Sequence, residues 1–91
     1  MKRGLIMAKP GETLPMRQRF ANALVNAEHE ASKTGVVQHI VWRPDIRSGM
    51  FGIHTGVSHT SRFALKFAFA TVYPDGQIRL GPCYDEELLK T

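Results

Sequence analysis

Between Pro15 and Thr34 the apolar residues Met16, Phe20, Ala23, Leu24, Ala27 and Ala31 recur at steps of three and four, the spacing that lines side chains along one stripe of an α-helix. The opposite face carries Arg17, Gln18, Asn22, Asn26, Glu28, Glu30 and Lys33 and reads as solvated. Thr13 is placed to cap the amino end, Pro15 suits a first turn whose amide hydrogens lack partners, and Gly35 offers a left-handed stop. A one-sided helix has to bury its stripe against another layer, and 91 residues leave room for a single core.

Beyond Gly35 the period changes from helical to alternating. "VVQHIVWR" is rich in β-branched residues before Pro44 and Asp45 break it, so Val36 to Arg43 is expected as the first strand, with the Trp42 side facing the core. Met50 to Thr55 follows as a second strand in which Gly52 marks a bulge or a close backbone approach. From Phe63 to Tyr73 the alternation puts Phe63, Leu65, Phe67, Phe69, Thr71 and Tyr73 on one face, expected against the helix. Ala64, Lys66, Ala68, Ala70 and Val72 fall on the other, a flat face that a second chain or a ligand could cover. "YPDGQ" is a turn leading into a fourth strand, Gln77 to Leu80, with Ile78 and Leu80 on the core side. "DEELLK" fits one helical turn capped by Asp85. The expected fold is therefore α+β: one long N-terminal helix packed on a four-stranded antiparallel sheet, with a short C-terminal helix. Residues 1–12, which lack periodicity, are expected as a flexible N-terminal arm ahead of a single domain over 13–91.

Twelve Lys and Arg against eight Asp and Glu give a formal charge of +4, which attracts polyanions or an acidic protein partner. A lone cysteine, Cys83, cannot close an internal disulfide or build a cysteine cluster for a metal, and a reducing, cytoplasmic compartment is expected. The opening "MKRGLIMAKPG" has an apolar stretch of only Leu5 to Ala8, too short for a signal-peptide core, and no run approaches a membrane span.

The loop "GMFGIHTGVSHTSR" holds most of the residues with chemical potential. His54 and His59 could act as base and acid in RNA cleavage, one taking the 2′-hydroxyl proton and the other protonating the leaving oxygen, with Arg47 and Arg62 steadying the phosphate. As surface-loop histidines they are more simply polar filler. His39, His54 and His59 would suit zinc if the first two strands pair, but a fourth ligand would have to come from Cys83 or Asp45, and no ligand-spacing motif is present. Ser48, Ser58 and Ser61 lack a glycine-framed nucleophile elbow, and the glycines of "GMFGIHTG" precede no helix as a phosphate loop requires.

Read by position, Arg43 and Arg47 at one strand connection, His54 and His59 in the loop, and Arg62 and Lys66 beyond it form a basic rim for phosphate contacts. Phe51 or Trp42, if exposed, could stack on a base. The expectation is a small non-catalytic binding protein that contacts nucleic acid through this rim, without a cofactor or metal. The alternative is a protein-binding modulator or inhibitor acting through a sheet edge or through Ala64, Ala68 and Ala70, in a form that includes a homodimer. A His-dependent ribonuclease is the third reading.

Overall fold

In a computed structural model the protein is described at residues 14–46, 49–56 and 61–91, with the backbone alone at 61–63. The chain runs α1 (Met16–Thr34), β1 (Gln38–Arg43), β2 (Met50–Thr55), α2 (Ser61–Lys66), β3 (Ala68–Val72), β4 (Ile78–Leu80) and α3 (Glu86–Leu89). The strands form one sheet in the order β2-β1-β3-β4 with antiparallel neighbours throughout. This is the expected α+β arrangement, a long helix on a four-stranded antiparallel sheet. Among the described residues no helix is long and apolar enough to cross a membrane.

Helix α1 buries the predicted stripe: Met16, Ala23, Ala27 and Ala31 are buried and Phe20 and Leu24 pack beside them. Three of these are alanines, so the helix axis can lie close to the sheet and the larger Phe20 can reach its aromatic partners. Pro15 precedes the first turn without a side-chain cap, and Gly35 closes the helix in the left-handed region, φ 71°, its N–H donating to the Ala31 carbonyl. Thr13 and the arm expected over 1–12 lie outside the described residues.

On β1, Ile40 and Trp42 face α1, and their cross-strand partners Ile53 and Phe51 join the same core. Gln38 ends this row while buried. Its side-chain amide donates to the Val36 carbonyl at 3.1 Å and its oxygen accepts from the Thr55 hydroxyl at 3.3 Å, which offsets its desolvation.

The stretch from Phe63 to Tyr73 departs from the expected single strand in two ways. Its first part winds into α2, Ser61–Lys66, which meets β1 and β2. Its second part, β3, carries a bulge: Ile40 pairs with Ala70 but Val41 pairs with Ala68, leaving Phe69 as the extra residue. The bulge lets Phe69 turn to the α1 side along with Ala70 and Val72, where its ring meets Phe20, Phe51 and Tyr84 at centroid separations of 5.0–5.1 Å. Thr71 then points to the opposite face, while Leu65 and Phe67 are 59% and 41% exposed and not part of the phenylalanine row expected in the core.

The alanine platform is corrected by the same geometry. Ala64, Ala68 and Ala70 are each 0% exposed. Ala70 lies in the core under α1, and Ala68 faces Val41 on the other side of the sheet, where Val41 is also buried and α2 supplies cover. A residue already enclosed within its own chain presents no surface to a partner.

The carboxyl-terminal part follows the expected turn chemistry. In "YPDGQ" the Tyr73 N–H donates to the Gln77 carbonyl at 2.9 Å and the Asp75 side chain accepts from the Gln77 N–H at 3.0 Å. Ile78 packs on the core, whereas Leu80, expected there, is 61% exposed at the end of the edge strand β4. Asp85 caps α3 by accepting from the Glu87 N–H at 3.0 Å, and Leu89 is buried.

Candidate functional site

The pleat turns alternate residues away from α1, and the register aligns four of them in a single row across the sheet. His54 on β2 faces His39 on β1, His39 faces Thr71 on β3, and Thr71 faces Arg79 on β4. The middle of the row is closed, with His39 and Thr71 each 6% exposed, while His54 is half-buried and Arg79 exposed. His39 Nδ1 and the Thr71 hydroxyl share a hydrogen bond of 2.9 Å. Arg79 turns its guanidinium over the Tyr73 ring, 5.8 Å from the centroid.

Burial, and secondarily the neighbouring His54, lower the pKa of His39 below its ordinary 6.5. An unfolded chain therefore takes up a proton at this residue before the folded one does. The stability contributed by neutral His39 is complete above pH 6.5 and is lost as the pH falls below that value toward the folded pKa. Denaturant midpoints measured from pH 8 to pH 5 should drop on the acid side, and His39→Gln should flatten that drop. An unchanged pH profile in the variant would assign the dependence to another group.

The two imidazoles of the row point apart. His54 Nε2 lies 3.4 Å from where a Cβ on Gly52 would stand, and His39 Nε2 lies 3.7 Å from the corresponding point on Gly56. Those two points are about 12 Å apart along an extended chain, which leaves the nitrogens roughly 5 Å or more from each other. Two nitrogens on one zinc ion need to be closer than that. Among the described residues no three His, Cys, Asp or Glu side chains gather as a metal site, and His59, the third member of the zinc and ribonuclease readings, lies outside them.

Of the expected basic rim, the structure places Arg43 and His54 together. They lie on the same face as the row, on either side of Gly52, whose absent side chain leaves a notch bounded by His54 Nε2 at 3.4 Å and Arg43 Cγ at 3.8 Å. The strands that carry them are the two that α2 meets, and α2 bears Arg62 on its backbone and the exposed Lys66 at its end. Arg47 and His59 lie outside the described residues, as does the side chain of Arg62.

Arg43 is not a free cation. Its Nε and a terminal nitrogen donate to the two Asp45 carboxylate oxygens at 3.1 and 2.9 Å. The hydrogen bonds between them hold the guanidinium pKa above and the Asp45 pKa below their ordinary values. Alternation cannot reveal this pair, because Asp45 sits beyond the strand in the turn. Residue spacing equally misses Thr71 and Arg79, whose place in the row depends on strand register.

The aromatic candidates change as well. Trp42 and Phe51 pack on each other at a 4.9 Å centroid separation against the core, so neither offers the exposed ring that base stacking needs. Phe67 is the more exposed ring, with the Lys66 ammonium 5.7 Å from its centroid. Compared with protein-family models, with curated proteins and with solved structures, the chain matches none.

Proposed function

We propose that the protein binds single-stranded nucleic acid without catalysing a reaction on it. The observation that supports this most is the placement of Arg43 and His54 on either side of Gly52 on the face away from α1, on the two strands that α2 meets, with the exposed Lys66 at the end of α2. Phosphates would be held by Arg43 and Lys66, with the His54 imidazole as a further hydrogen-bond partner. Phe67, 41% exposed beside Lys66, offers a ring on which an unpaired base can stack, which favours a single strand over a duplex. The net charge of +4 supplies long-range attraction in the same direction. Arg47 and His59, expected from the sequence as part of this rim, lie outside the described residues.

The test is fluorescence anisotropy of a labelled single-stranded oligonucleotide with the intact protein over a salt series. Affinity should fall steeply with added salt, and Lys66→Ala should weaken binding and lower the slope of log affinity against log salt by about one. Phe67→Ala should weaken binding with the slope unchanged, since stacking releases no counterions. No binding at low salt, or binding indifferent to salt, would remove the nucleic-acid reading.

The protein-docking alternative keeps only the sheet edges, since Ala64, Ala68 and Ala70 are enclosed. The longer of these edges is β2, six residues paired on one side alone, with Met50 44% exposed. An acidic protein or a second copy bound there would leave the protein's mass in solution, rather than oligonucleotide binding, as the responsive measurement.

A further inference from the structure

We infer that the notch at Gly52 is a phosphate subsite and that Asp45 occupies its arginine until a phosphate displaces it. The inference rests on the nucleic-acid reading for its ligand, a backbone phosphodiester, although the chemistry recognised is that of any phosphate group. Three observations carry it. Gly52 lies within β2, paired with Val41, where a larger residue would serve the strand better. A side chain there would stand among His54 Nε2, the Arg43 stem and the Val41 carbonyl oxygen, at 3.4, 3.8 and 3.9 Å, so glycine leaves the space between the imidazole and the arginine open. The Arg43 guanidinium already presents a two-pronged donor edge, which now grips the Asp45 carboxylate at 3.1 and 2.9 Å.

A phosphate offers a similar pair of oxygens to that fork, so it can replace the carboxylate without a new donor geometry. Replacement is easy because the pair is exposed, with side chains 34% and 62% accessible, and water screens what holds it together. As the guanidinium swings from Asp45 over the notch, the imidazole of His54 becomes the second donor. Asp45 thus acts as a built-in competitor that keeps Arg43 oriented and raises the threshold for weakly charged ligands.

Gly52→Ala isolates the notch. No neighbour comes nearer than 3.4 Å to the added methyl, an ordinary van der Waals contact, so the fold should persist, as circular dichroism would verify. Two ligands are titrated into the wild type, Gly52→Ala and Asp45→Asn: inorganic phosphate, followed by NMR at the Arg43 Nε–H and His54 ring resonances, and the labelled oligonucleotide over a salt series. In the wild type inorganic phosphate should shift both resonances, and in Gly52→Ala these shifts should disappear. The oligonucleotide salt slope should fall by about one in Gly52→Ala, the loss of one phosphate contact. Asp45→Asn should bind the oligonucleotide about two- to fivefold more tightly, the scale of an exposed ion pair.

If folded Gly52→Ala keeps the wild-type shifts and slope, the subsite is overturned while the broader nucleic-acid reading stands. If phosphate shifts the wild-type resonances but no oligonucleotide binds, the subsite survives as a site for free phosphate and the broader reading fails. Weaker binding by Asp45→Asn would overturn the competitor role.

Discussion

Phe69→Ala should lower the stability of the folded protein by about 3–5 kcal/mol, the usual cost of removing a large ring from a closed core. Phe69 is 0% exposed and stands at the centre of an aromatic cluster with Phe20, Phe51 and Tyr84. Small domains hold only about 5–15 kcal/mol in total, so the variant should lose a large fraction of its stability. The informative comparison is Phe67→Ala. Strict alternation places both rings on one face, whereas the bulge turns Phe69 inward and Phe67 remains 41% exposed. Phe67→Ala should cost less than about 1 kcal/mol, as substitutions near the surface usually do. Equal losses in urea denaturation would mean that the bulge does not separate the two residues.

Gly81→Ala should be nearly as damaging, at about 3 kcal/mol, through overpacking against the main chain rather than a cavity. A methyl group at Gly81 would penetrate the Ala68 carbonyl oxygen, a backbone atom that cannot rotate aside. The contact is close because the chain leaving β4 continues along β3, with Gly81 N–H donating to the Phe69 carbonyl and Cys83 N–H to the Ala68 carbonyl, each at 3.0 Å. Relieving the clash would therefore pull apart the strand ends that shape the bulge. Gly76→Ala is the control: its φ of 92° strains any side chain, but nothing stands within 4 Å of the added carbon, and the cost should be about 1–2 kcal/mol. A Gly81→Ala protein no less stable than Gly76→Ala would show that β4 can shift away from β3 at little cost.

The candidate site was less legible than the fold. Arg43, His54 and Lys66 were identifiable as basic positions flanking one loop, yet their meaning depends on which face each strand presents. Pairing of His39 with His54 and Thr71 is a fact of register between segments 15 and 32 residues distant along the chain. The Arg43–Asp45 pair is local in sequence, but an arginine near an aspartate in a turn has many other geometries available. Strict alternation puts Thr71 in the helix-facing row and the alanines on a platform, and one added residue at Phe69 overturns both by changing which neighbours share a face.

Local pattern alone determined the elements whose signals span several turns or a well-marked break. The stripe from Met16 to Ala31, the stop at Gly35, the strand from Met50 to Thr55, the turn at Asp75 and Gly76 and the Asp85 cap all follow from interactions within a few residues. Tertiary packing decided the rest. The segment around Ala64 and Leu65 has an apolar pattern that serves a strand or a helix, and its place against β1 and β2 selects the helix. At Phe69 the need to bury a large ring with Phe20, Phe51 and Tyr84 is met by breaking strict alternation, and that break sets which side chains reach the opposite face.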